Sequence, residues 1–193
     1  MADKIRSRNF DLLLYEEDET HQACLAKLAT GYKYIAIKHD KDTWTEDDQL
    51  PDGVKAGDLK KPHWHVIIKF PQARWNTAVA QELGIAINYL QKCVSYEGSL
   101  LYLIHAGIPD KYQYQTTDCI GTLVKDLEKV LDNETDLNEK IMDVINILDQ
   151  QQTWTTRAFL TEVCAKDRIG AALRLGGLLP ALLSEHNTGK IPQ

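Results

Sequence analysis

Short runs of apolar, β-branched and aromatic residues alternate with longer amphipathic stretches through the first half of the chain. Residues 9–15 (NFDLLLY), 32–40 (YKYIAIKHD), 60–70 (KKPHWHVIIKF) and 85–94 (IAINYLQKCV) predict β-strands. Residues 18–31 (DETHQACLAKLATG) and 74–84 (RWNTAVAQELG) predict helices that end at glycine, the first with Cys24, Leu25 and Leu28 on one face. In the 60–70 run, entered through Pro62, side chains point alternately to opposite faces. His63 and His65 therefore share a face with Ile67 and Lys69, while Trp64, Val66, Ile68 and Phe70 share the other. The second set packs; the histidine face calls for another explanation.

The order strand, helix, strand, strand, helix, strand predicts an α+β fold. It implies a ferredoxin-like or RRM-like antiparallel sheet with flanking helices, one sheet face covered and the other open. A polar loop at 40–58, punctuated by Gly and Pro, is long enough to serve function. A short helix at 98–107, glycine at each end, follows the last strand. From about residue 119 amphipathic helices are expected: 119–131, a helix opened by a capping box of Asp136 and Glu139, then 155–166 and 167–186, the last interrupted by Gly176, Gly177 and Pro180. Residues 1–118 and 119–193 read as two domains, the second small and all-helical.

Composition narrows the class. With 193 residues and 44% hydrophobic content the chain can bury a proper core. No apolar run is long enough to span a membrane, and the opening MADKIRSRNF lacks the apolar stretch of a signal peptide, so a cytoplasmic protein without a membrane partner is expected. The four cysteines form no CxxC pair and are expected as small buried hydrophobes. Net charge is −6, shared evenly between the two parts, which argues against coating nucleic acid by bulk electrostatics. Any such contact must be local, and Lys55, Lys60, Lys61, Lys69 and Arg74 gather around the histidine strand.

Two imidazoles leaving one face of a strand can hold one side of a divalent ion. The second strand ends in KHDKD, where His39 and Asp42 offer another imidazole and a carboxylate that an antiparallel sheet can bring alongside. Such a mixed nitrogen and oxygen set suits Mn²⁺ better than the all-oxygen preference of Mg²⁺. Taken alone, KHDKD also reads as a charged turn. In LYLIH, Tyr102 and His105 stand three apart on one expected helical face, and Tyr102 is a candidate nucleophile, with Tyr96, Tyr112 and Tyr114 as competitors.

HDKD (39–42), KKPHWHV (60–66) and LYLIH (101–105), in that order, resemble the three motifs of the HUH endonuclease superfamily. More narrowly they resemble the rolling-circle plasmid replication initiator (Rep) proteins of Gram-positive bacteria, over roughly residues 7–115. The resemblance implies a nickase and origin-binding domain in which His39, Asp42, His63 and His65 bind Mn²⁺ or Mg²⁺. Tyr102 would attack the scissile phosphate of single-stranded origin DNA and remain linked to the 5′ phosphate, leaving a 3′ hydroxyl to prime synthesis. The third motif holds one tyrosine, not the pair of some branches.

Implied partners are origin DNA, single-stranded at the nick and duplex nearby, together with host replication machinery. The leucine-rich stretch AALRLGGLLPALL adds a homo-oligomer built through the helical part, in preference to a helix-turn-helix reader. Competing readings are a mobilisation relaxase or single-strand transposase of the same chemistry, a non-catalytic RRM-like nucleic-acid-binding module, and a phosphoesterase in which water replaces tyrosine as the nucleophile.

Overall fold

The computed structural model describes residues 4–149, 155–166, 171–172, 182–184 and 187. The chain divides into two compact units, Met1–Val130 and Leu131–Gln193.

The first unit is an α+β fold built on one antiparallel sheet of five strands. Its elements run β1 (Arg6–Leu14), α1 (Glu19–Gly31), β2 (Lys33–His39), β3 (His63–Trp75), α2 (Asn76–Leu83), β4 (Leu90–Lys92), α3 (Tyr96–Leu103) and β5 (Ile120–Gly121). The strand order is β4-β1-β3-β2-β5, with the long β3 at the centre. Alternation along the strands assigns the faces. Phe10, Leu12 and Leu14 of β1, Ala36 of β2, and Val66, Ile68 and Phe70 of β3 form one core with Cys24 and Leu28 of α1 and Val79, Ala80 and Leu83 of α2. Helix α1 starts where the Asp18 carboxylate accepts the backbone N–H groups of Thr20 and His21. The opposite face carries His63, His65 and Ile67 of β3 with Ile35, Ile37 and His39 of β2, and α3 lies over part of it.

In the second unit, α4 (Val124–Asp149), which begins in the first, and α5 (Thr156–Ala165) bury Val144, Ile147, Leu148, Phe159 and Val163 together with Ala171, Ala172 and Leu183. No helix among the described residues is long and apolar enough to cross a membrane.

Several elements differ from the sequence expectation. Residues 87–89 form a 3₁₀ turn, so the strand expected over 85–94 shrinks to three residues; β4 has only β1 as partner and is held where it faces Phe10–Leu12. Helix α3 begins at Tyr96 because the Ser95 hydroxyl accepts Gly98 N–H, placing Gly98 inside the first turn and not at the boundary. The helix expected from residue 119 is preceded by β5, where Gly121 pairs with Ile35. Asp136 caps nothing: α4 runs through it without a break, and its carboxylate takes Lys140 Nζ one turn on, at 2.6 Å. Cys164 is exposed whereas Cys24, Cys93 and Cys119 are buried, since α5 turns Phe159 and Val163 inward and the next position falls outside that stripe. The helix expected over 167–186, with its glycine and proline interruption, lies mostly outside the described residues.

Gly121 has φ +117°, and a Cβ there would stand 2.4 Å from Tyr34 O. Gly121→Ala is therefore expected to loosen β5 and lower stability by about 1–3 kcal/mol. Urea unfolding measures this, and a change near zero would mean that β5 is not held against β2.

Candidate active site

The register of β2 against β3 sets His39 directly opposite His63 and Ile37 opposite His65. Three residues beyond the end of β2 the chain turns Asp42 back toward them, and the loop returning to β3 is tied to that turn by Lys60 N–H donating to Asp42 O at 2.7 Å. All four ligand candidates of the sequence, His39, Asp42, His63 and His65, thus meet at one end of the sheet.

Each imidazole is oriented by its neighbours. His63 Nδ1 donates to Lys61 O at 2.8 Å, leaving Nε2 as the bare nitrogen. His39 Nε2 donates to Leu103 O at 2.7 Å, turning Nδ1 toward Asp42 Oδ2 at 3.1 Å. His63 Nε2 and His65 Nε2 are 3.1 Å apart. A backbone carbonyl fixing one ring nitrogen so that the other faces inward is the arrangement that orients metal-ligating histidine. Ligands about 2.1 Å from one ion and at right angles to each other stand roughly 3 Å apart, which is the spacing of both close pairs. Bare nitrogens facing each other, or facing a carboxylate, need a proton or a cation between them, so the donor set fits a divalent ion.

Electrostatics agree. Burial pushes His63, His65 and His105 below the ordinary imidazole value, His65 to about 3, with the neighbouring imidazoles adding to the effect at His65. These rings are neutral near pH 7, the form that ligates. Burial alone would raise Asp42, but its contacts with His39, His105 and the Tyr114 hydroxyl outweigh it and hold the carboxyl well below the usual range.

Tyr102, on the last turn of α3, is 39% exposed, and its ring stands edge-on to His65 and His105 at centroid distances of 5.7 and 5.3 Å. Lys111 Nζ donates to its hydroxyl at 2.7 Å. Two of the competing tyrosines are tied to carboxylates: Tyr96 donates to Asp126, and Tyr114, stacked on His39, donates to Asp42 Oδ1, while Tyr112 is exposed and accepts from Lys41 Nζ much as Tyr102 accepts from Lys111. Burial raises Tyr96 and Tyr114 above an ordinary phenol.

His105 corrects the expected geometry. The helix stops at Leu103, and His105 takes φ +56°, rare for a residue with a side chain. Its ring turns inward, fully buried, with Nδ1 donating to Tyr112 O at 2.8 Å and Nε2 unpartnered 3.8 Å from Asp42 Oδ2. His39, Asp42 and His105 form a second ligand group beside that of His39, His63 and His65. Lys111 and the role of Tyr114 had no motif to announce them; His105 stood in LYLIH and was legible there only as a neighbour of Tyr102.

The five basic candidates do not act as one patch. Lys60 pairs with Asp48 and lies over Trp44, and Lys61 pairs with Glu17. Lys69 pairs with Asp126 and Arg74 with Glu82 at the far end of β3, and Lys55 is exposed in the loop.

Residues 2–128 match the family described as plasmid replication protein, origin binding domain. A replication protein of onion yellows phytoplasma is 30% identical over 115 residues, 58% of this chain and 30% of that protein, so the chain spans about a third of that relative. A Staphylococcus aureus replication protein is 27% identical over 152 residues, 76% of this chain and 70% of its own length. The replication protein RepB of Lactiplantibacillus plantarum is 27% identical over 190 residues, 95% and 77% of the two chains.

Because the folded histidines bind protons less readily than in the unfolded chain, the stability they contribute is complete above about pH 6.5 and is lost as pH falls from there toward 3. Asp42 acts in the same direction below the ordinary carboxylate range. Thermal unfolding in chelator should therefore give a Tm that falls steadily from pH 7 to 4.5, and Mn²⁺ should raise Tm at pH 7 but not at pH 4.5. A flat profile would mean that the rings titrate freely.

Proposed function

Because the chain belongs to the family of plasmid replication proteins defined by this origin-binding domain, we propose that it starts rolling-circle replication by cutting one strand of its plasmid origin with Tyr102. The observation that carries this reading is the placement of an exposed tyrosine at the rim of a buried cluster of imidazoles and a carboxylate, with an ammonium against its oxygen. On this reading the chemistry is that of the HUH superfamily, whose motif order the sequence resembles, and residues 1–118 form the nickase and origin-binding domain.

Tyr102 Oη bonds to the scissile phosphorus, the bond from phosphorus to O3′ breaks, and O3′ leaves as a 3′ hydroxyl after taking a proton from water, while the phenol proton is released to solvent. The protein is then joined to the 5′ phosphate. Rejoining reverses the exchange when a 3′ hydroxyl attacks the phosphotyrosine, so neither step consumes ATP. Lys111 places a positive charge against the attacking oxygen, where charge changes most during the reaction. A divalent ion, Mn²⁺ or Mg²⁺, held by His39, Asp42, His63 and His65, would supply Lewis-acid polarisation of a phosphoryl oxygen. Tyr114 positions Asp42 and stacks on His39, which keeps both groups fixed as DNA arrives.

One feature supports single-stranded DNA as the substrate at the nick. The cluster is recessed beneath Tyr102, and a scissile phosphate must leave the duplex to reach it. With one tyrosine in the third motif, ending the round needs an activated water or a second subunit, which fits an oligomer assembled through residues 119–193. Duplex origin DNA nearby and host replication proteins complete the set of partners.

With a cognate single-stranded origin oligonucleotide and Mn²⁺, wild-type protein should give a denaturation-resistant adduct, lost in Tyr102→Phe and with chelator. Cleavage that continues in Tyr102→Phe would sink tyrosine attack in favour of water. Lys111→Ala should slow single-turnover cleavage about tenfold to a hundredfold without changing Mn²⁺ affinity; an unaltered rate would remove Lys111 from the reaction.

A further inference from the structure

At the end of the sheet opposite the histidines, where β1 and β2 begin and β3 runs out, lies an open cleft of about 840 Å³. It is lined by five cations, Arg8, Lys27, Lys33, Lys69 and Arg74, against two carboxylates, Glu82 and Asp126. On a chain of net charge −6 this is a local reversal of sign. From the structure, we propose that this cleft holds the phosphate backbone of duplex DNA beside the origin nick, a contact separate from the cleavage site and resting on the origin-binding reading but not on the chemistry of Tyr102.

The register supports it. Lys33 and Lys69 stand directly opposite each other on β2 and β3, and like charges in that relation destabilise a sheet. Lys69 is relieved by Asp126 at 2.8 Å. Lys33 is exposed and has no ion pair among the described residues, and Arg8, also exposed, has no ion pair among them and makes a long contact from Nε to Phe70 O, at 3.4 Å. Lys33 and Arg8 thus keep uncompensated charge at the cleft, which an anion from outside would neutralise.

The lining also selects the kind of nucleic acid. A single strand is gripped by stacking bases on open aromatic faces, but here the aromatics are occupied. Arg74 lies over Phe70 at 5.0 Å, Tyr32 packs edge-on to Phe70, and the Tyr32 hydroxyl donates to Glu82. Cations without a stacking platform suit a backbone held by charge and shape. Six residue steps of β3 separate Lys69 from His63, roughly 20 Å of strand, which is about the length of six base pairs at 3.4 Å each. One domain can thus grip duplex at one end of its sheet while an unpaired strand reaches Tyr102 at the other. Lys69 and Arg74 belong to the duplex grip, as rim residues already partly neutralised.

The test uses the full chain, a labelled duplex of the cognate origin, an unrelated duplex of equal length, and a single-stranded origin oligonucleotide for cleavage. Arg8→Glu combined with Lys33→Glu should weaken binding to both duplexes at least tenfold at 150 mM salt, since phosphate contacts are blind to sequence. The dependence of log affinity on log salt should become shallower by about 1.8, the loss of two phosphate contacts. Cleavage of the single strand should stay within twofold of wild type. Lys33→Gln, which keeps an uncharged chain of similar length at an exposed site, should give an intermediate loss with unchanged Tm. Duplex affinity within twofold of wild type overturns the proposal, as does a parallel fall in duplex binding and single-strand cleavage. If the wild type binds duplex through Lys33 and Arg8 yet cleaves nothing, the cleft stands and the nicking reading falls.

Discussion

His39 faces His63 across the β2 and β3 ladder, and this register is the constraint on which the site rests. Side chains in a strand alternate with a period of two, so sliding either strand by one residue would carry its histidines to the face occupied by α1 and α2. The core prevents the slip. Ala36, Val66, Ile68 and Phe70 are locked among the apolar side chains of that face, and burying them compels His39, His63 and His65 to emerge together on the other. The long loop between the strands holds the same register from outside: Thr43 bridges to Leu59, Trp44 N–H donates to Asp58 O, and Gly57 N–H donates to Trp44 O. It is a folded arm that delivers Asp42 and the start of β3 to each other.

The end of α3 is joined to this centre by one hydrogen bond. A helix leaves its last carbonyls without internal partners, and Leu103 O finds His39 Nε2. The bond satisfies the helix end, selects which nitrogen of His39 faces Asp42, and fixes the turn of helix that carries Tyr102. The helix then breaks, and the left-handed backbone at His105 brings a fourth imidazole beside the tyrosine. Strain of this kind at a buried polar group is characteristic of a site whose geometry is imposed by its surroundings. Coupling of Tyr102 to the candidate ligand cluster therefore runs through the backbone as well as through the edge-on ring contact with His65.

Charge is spent locally in an acidic protein. Most of the basic side chains near the histidine strand are held by their own carboxylates, Lys69 and Arg74 of the far cleft among them, which leaves Lys111 near the tyrosine and Arg8 and Lys33 in the cleft without a carboxylate partner among the described residues. Exposed pairs of this kind add little stability; their effect is to shape the field.

The period-two pattern of β3 and the apolar runs of β1 and β2 determined the sheet, its helices and the face bearing the histidines, because alternation is a local property that every residue in a strand obeys. The candidate residues His39, Asp42, His63, His65 and Tyr102 were picked out because each lies in a short run of recognisable chemistry. The inward turn of His105, the hydrogen bond from His39 to Leu103, the approach of Lys111 to Tyr102, the insertion of β5 and the unbroken course of α4 through Asp136 were decided only by the tertiary structure. Each depends on a partner distant in sequence, or on packing that overrides a local signal: a capping pair can open a helix, but it does so only where the chain is free to leave one, and along α4 the apolar stripe of Leu137, Ile141 and Val144 holds it helical.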